Sequence, residues 1–203
     1  FDEFKPGGDN DDIGVLKYRK VGPTIADDIK KSAVLAVIGS LAVVFLYILL
    51  RFRRWLFSLG AVVAVFHDVM IVLGIFSLTG KIMPFNMEID QAFIAAILTV
   101  IGYSLNDTVV VFDRIREITN IKGLKGGENI NEALNSTLSR TLNTSLTTLI
   151  VLLAIFVFGG ESLRGFMFAM IVGVVVGTYS SVFIATPIMF DSLKKKIAAA
   201  TGA

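Results

Sequence analysis

The sequence predicts an all-α membrane protein, a polytopic helical bundle with five transmembrane helices, and three observations carry that reading. Hydrophobic residues make up 54% of the 203-residue chain and give it a mean hydropathy of +0.74, well above an ordinary soluble domain. They are gathered into blocks close to the ~20 residues that a helix needs to cross a bilayer core. Between the blocks stand short stretches rich in charge, glycine or proline, which punctuate a chain that crosses repeatedly.

Residues 1–31 are polar, with Gly7-Gly8, an acidic run over Asp9–Asp12 broken by Asn10, and the turn-like Val21-Gly22-Pro23. They read as an external tail, the stump of a domain outside the membrane. The chain opens on Phe1 with neither an initiator Met nor a signal-peptide pattern, which reads as a fragment or processed piece. Residues 32–193 form the transmembrane domain. Its first span, 32–50, is stopped by Arg51-Phe52-Arg53-Arg54, and its second, 55–78, begins with Trp55, an aromatic suited to the membrane interface. A polar hairpin over 79–90, containing Gly80, Pro84 and Asn86, leads to the third span, 91–112. A basic loop through Lys122, Lys125 and Gly126-Gly127 follows. Ile130, Ala133, Leu134, Thr137 and Leu138 then recur at helical spacing, which predicts a short amphipathic helix along the membrane surface before the fourth span, 141–159. A tight turn over 160–164 precedes the fifth span, 166–190, and residues 194–203, opening with Lys194-Lys195-Lys196, form the C-terminus.

Lysine and arginine set the orientation. One side of the bundle carries three at 51–54, four at 114–125 and three at 194–196, whereas the two short turns on the other side carry only Lys81 and Arg164. The positive side is expected to be cytoplasmic, with the N-terminus external. The basic residues of the tail, Lys5 through Lys31, oppose this, but long external domains translocate largely regardless of charge.

Several functions are set aside on composition. A net charge of +2 with no basic groove interleaved with aromatics argues against nucleic acid. With no cysteine and a single histidine, thiolate and histidine-rich metal sites are ruled out, and no cofactor is implied. The paired glycines Gly126-Gly127 and Gly159-Gly160 lack the Lys-Ser or Lys-Thr ending of a nucleotide-binding loop.

What remains is charge inside the membrane. Asp107 lies in the apolar run of the third span, five residues before Phe112 and so roughly 7–8 Å from the cytoplasmic end of that span. An ionised carboxylate at a helix centre costs roughly 2.5–3.5 kcal/mol even on insertion-derived scales, so it is expected to face a partner or a watery path. Ser104, Asp107 and Thr108 share one helical stripe, with Asn106 beside them. In the fourth span, Arg140, Asn143, Thr144, Thr147 and Thr148 form a second polar stripe that starts near the same surface. Were the stripes to meet, Asp107 and Arg140 would pair, and a proton on the carboxylate would release the arginine. The bland readings are a hydrogen-bonding aspartate and a snorkelling arginine. His67 and Asp68 lie midway along the second span, on the stripe begun by Gly60 and Ala64; they fit either a proton relay or a polar contact between helices. Gly173 and Gly177 form a GxxxG motif, extended by Ser180 and Ser181, that predicts close helix packing.

The chain also resembles a known family. Val21-Gly22-Pro23, YILLRFR at 47–53, His67-Asp68-Val69, SLSRTLNTSLTTL at 138–150 and above all LTVIGYSLNDTVVVFDRIRE at 98–117 are similar to the C-terminal part of the SecF family, the second half of the SecDF protein-export complex. The resemblance covers residues 21–195. It implies half of an RND-type pseudo-repeat, a proton-driven transport component and not an enzyme, residing in the bacterial inner membrane. It also implies a SecD half, fused or separate, the SecYEG channel and exported polypeptides as partners, and it casts Asp107 as the proton-handling carboxylate with Arg140 as its associated arginine. Family members have six spans and an external domain, so one span and most of that domain are missing from this chain. Two alternatives stay open: a proton-driven RND-type exporter of small molecules or lipids, and a structural scaffold subunit of the translocase.

Overall fold

The structure, a computed structural model, describes residues 23–80, 82–85, 87–122 and 127–201. Residues 1–22 of the external tail, Lys81, Asn86, the loop 123–126 and the last two residues lie outside the described residues, as do the side chains of Lys194-Lys195-Lys196. All regular structure among the described residues is helical. Helices α1 (Pro23–Phe52), α2 (Trp55–Thr79), α3 (Gln91–Lys122) and α4 (Gly127–Phe158) are followed by α5 (Glu161–Ser180), a π-helical turn (Ser181–Ala185) and α6 (Thr186–Thr201). The last three run on as one rod, so five helices are long and apolar enough to cross a membrane.

The connections follow from local chemistry. Helix α1 stops where Arg53 takes a left-handed conformation, φ 53°, its N–H donating to Leu49 O at 2.8 Å, and extended Arg54 then starts α2. Asp90 Oδ1 accepts from the Phe93 N–H at 2.8 Å, capping the start of α3. Two expected connections differ. The surface helix at 130–138 is instead the first part of α4, which runs unbroken because no proline or glycine interrupts 128–158 and its apolar face, Ile130, Ala133 and Thr137, continues into Thr141 and Ser145. The turn expected over 160–164 is confined to Gly159-Gly160, since α5 begins at Glu161, an acidic residue favoured by the helix dipole.

Helix α3 is central and touches every other helix, most extensively α5. A Cβ added to Gly173 would collide with the Val100 side chain, and one added to Gly177 would come within 2.9 Å of Ser104 Cβ, so the two glycines let α5 lie against α3. Gly60 does the same for α2, where an added Cβ would meet Ala185 O at 2.7 Å. Aromatic clusters close both ends. Phe52, Phe57 and Phe112 pack with centroids 5.1–6.0 Å apart beside the arginine turn, while Phe76–Phe93 and Phe85–Phe156–Phe168 pack at the other end. The outward faces of α1 and α4 carry exposed Leu35, Leu46, Leu50, Leu146, Ile150 and Val157, as helices bathed in lipid require.

Candidate functional site

Two carboxylates sit within the spans, and the helices supply them differently. Asp68 of α2 is 0% exposed. Its Oδ2 accepts from Ser104 of α3 at 2.5 Å and from Ser180 of α5 at 2.7 Å, while Oδ1 meets His67 Nδ1 at 3.2 Å. Three helices thus converge on one side chain.

Asp107 of α3 is 3% exposed and has a poorer set of partners. Ser145 Oγ of α4 lies 3.5 Å from Asp107 Oδ2, at the limit of a hydrogen bond, and 2.6 Å from Thr178 Oγ1 of α5. The Thr178 hydroxyl donates to Val174 O at 2.7 Å, so the single Ser145 proton is drawn toward Thr178 and away from Asp107. Tyr103 OH adds contacts to Ser145 at 3.5 Å and Thr148 at 3.3 Å. Asp107 is therefore enclosed by α3, α4 and α5 without a firm donor among the described residues.

The expected pairing of Asp107 with Arg140 takes a looser form. Arg140 is exposed and makes no ion pair within 4.0 Å among the described residues. It lines a cavity of about 720 Å³ with Arg51, Asp113, Glu117, Thr137 and Val110. Arg51 bridges from α1 to Asp113 at 2.9 Å and Arg114 pairs with Glu117 at 2.7 Å, so the carboxylates near Arg140 are engaged by other arginines.

The remaining candidates divide. Thr108 is buried but donates to Ser104 O, and Asn106 and Asn143 are exposed. Thr144, Thr147 and Thr148 donate back to the carbonyls of Arg140, Asn143 and Thr144. The α4 residue that meets Asp107 is thus Ser145, one position on from Thr144 of the stripe expected. Ser145 and Thr178 escaped sequence reasoning because each stands among other hydroxyl residues, Thr144, Thr147 and Thr148 around Ser145 and Ser180 and Ser181 beside Thr178, so spacing does not single them out. Among the described residues no group of three His, Asp or Glu could hold a metal ion.

Residues 5–195 match the family described as protein export membrane protein SecD/SecF, C-terminal. The chain belongs to this family. It is similar to protein translocase subunit SecF of Rhodothermus marinus, 57% identical over 178 residues that cover 87% of this chain and 58% of that protein. It is also similar to protein translocase subunit SecF of Haemophilus influenzae, 44% identical over 181 residues covering 89% and 54%. Two solved SecDF structures share its fold. The super-membrane-facing form has a TM-score of 0.75 at 40% identity, over 90% of this chain and 24% of that one. The translocon-associated SecDF from Thermus has a TM-score of 0.76 at 43% identity, over 86% and 23%. The chain spans just over half the length of these SecF relatives and about a quarter of SecDF.

Proposed function

We propose that this chain is the main transmembrane part of a SecF-type subunit that uses the proton-motive force to assist protein export through the Sec channel. Family membership supports the export role, and the names of its relatives, translocase subunit and translocon-associated SecDF, support a SecD half and a translocon as partners, the latter being the SecYEG channel with its exported polypeptide in this reading. The distribution of lysine and arginine supports an inner-membrane placement with the N-terminus external and the C-terminus cytoplasmic.

The proton-coupled reading rests on one observation, a buried carboxylate with no firm donor, Asp107, facing a hydroxyl pair shared by α4 and α5. Ionised, Asp107 attracts Arg140 and draws α4 toward α3 at their cytoplasmic ends. Protonated, it loses that attraction, and Arg140 is free to turn into the cavity, toward the ion pairs that Asp113 and Glu117 make with Arg51 and Arg114. Val109 and Val110, two and three residues beyond Asp107, are among the cavity's lining, so a hydrogen ion leaving Asp107 has about one helical turn to cross. Alternate ionisation then tilts one pair of helices, which is the movement a translocation motor needs.

Replacing Asp107 with Asn in the full-length complex separates this from a scaffold. A motor assembles normally and loses gradient-dependent export. Lost assembly, or unchanged export, would mean that Asp107 only holds helices together.

A further inference from the structure

Thr141 differs from every other threonine of α4. Thr137, Thr144, Thr147 and Thr148 each donate to the carbonyl four residues back, those of Ala133, Arg140, Asn143 and Thr144. Thr141 is 1% exposed, and its Oγ1 has no hydrogen-bond partner among the described residues. A buried hydroxyl without a partner costs stability, so packing does not account for it.

Two contacts fix the level of Thr141 along α3 and α4, which run in opposite directions. Ser145 meets Asp107 at 3.5 Å on the outer side of it, and Ser136 meets Arg114 at 3.0 Å on the inner side, which sets Thr141 opposite Val110 and Val111. Val109, Val110, Thr137 and Arg140 all line the cavity of about 720 Å³, so the inner end of that cavity is level with Thr141. Its other walls include Arg51, Asp113, Glu117 and Asn120, a polar lining that suits water. Thr137, Thr141 and Ser145 follow at i, i+4 and i+8 on one buried face. Thr141 is thus the middle hydroxyl of three between the cavity and Asp107.

We propose that the Thr141 hydroxyl passes hydrogen ions between the cavity and Asp107. This rests on the proton-coupled reading above and names the side chain that serves it. Thr141 and Ser145 are separated by about 6 Å of helical rise. One water molecule, with a bond of about 2.8 Å on each side, joins groups that far apart. A hydrogen ion from cavity water adds to a lone pair of Oγ1 as the hydroxyl's own proton leaves to water on the Asp107 side, and from there to the carboxylate. Rotation of the O–H about the Cβ–Oγ1 bond resets the group, and no other bond of Thr141 changes. The neighbouring hydroxyls are less free to turn: those of Thr144 and Thr148 are bonded to their own helix, and Ser145 is held by Thr178 at 2.6 Å.

Proton flux into proteoliposomes holding the full-length complex, read beside the unfolding midpoints of the same variants, tests this. Thr141→Val keeps the shape and removes the hydroxyl. Its flux is expected to fall roughly tenfold or more, while its midpoint stays or rises because no hydrogen bond is lost. Thr141→Ser, which keeps a hydroxyl, should stay within about threefold of the wild-type flux. Wild-type flux in Thr141→Val beside lost flux in Asp107→Asn overturns the proposal and leaves the reading of Asp107 standing; full flux in Asp107→Asn overturns both. A lowered midpoint or failed assembly in Thr141→Val gives the hydroxyl a structural role and equally overturns the proposal.

Discussion

Ser104 of α3 gives its hydroxyl to Asp68 of α2, at 2.5 Å, and not to Asp107 three residues farther along its own helix. That choice separates the two intramembrane carboxylates into a bonded junction and a loosely held acid. Ser104→Ala is expected to destabilise the bundle by about 1.5–3 kcal/mol, the range for a hydrogen bond to a charged group. Ser180→Ala should do likewise. Because both hydroxyls serve the same oxygen, the double variant should depart from additivity by about 0.5 kcal/mol or more in reversible unfolding in lipid bicelles.

The α3–α5 contact has a more specific signature. Gly173→Ala places a methyl against Val100, and overpacking of this kind costs roughly 1–3 kcal/mol. Adding Val100→Ala should recover much of the loss, because the collision is with that side chain. Gly102→Ala, with nothing within 4 Å of the added carbon, should be tolerated. Unfolding midpoints of the three variants check the pattern.

The five spans were legible because their apolar runs are long and their boundaries are marked by Arg51-Phe52-Arg53-Arg54, by Asp90 and by Gly159-Gly160. Asp107 was legible for the same reason, as a charge amid apolar residues. The facing of the polar residues was less so. A stripe at three- and four-residue spacing covers a broad arc, and Asp107 lies at one edge of it, about 60° round the helix from Ser104, so that each meets a different neighbour. On α4, threonines that bond back to their own helix imitate an inward polar path, whereas the residue that does approach Asp107 is their neighbour Ser145. The π turn at Ser181–Ala185 is announced by Pro187, which has no N–H to give the carbonyl of Phe183 and so breaks the ladder there, and Thr186 Oγ1 donates to Ser181 O across it at 3.1 Å.

At the basic end, Phe112 is fully buried and edge-on to both Phe52 and Phe57. Phe112→Ala should cost about 3–5 kcal/mol, as large-to-small changes of buried phenylalanine do. Loss of the α1–α2 connection's packing would show as earlier proteolysis near Arg53-Arg54.

The Arg51–Asp113 ion pair lies close by and is half exposed on both sides, 41% and 47%. Its contribution is expected to stay within about 1 kcal/mol. Asp113→Asn should therefore change stability little, and the difference should shrink further as salt is raised.

Proton flux into proteoliposomes holding the full-length complex, driven by an imposed pH gradient, puts Asp107 to the most direct test. The loosely held acid predicts that Asp107→Asn abolishes the flux while Ser145→Ala, which takes from Asp107 only a 3.5 Å contact, preserves most of it. Flux through Asp107→Asn at the wild-type rate would contradict the account.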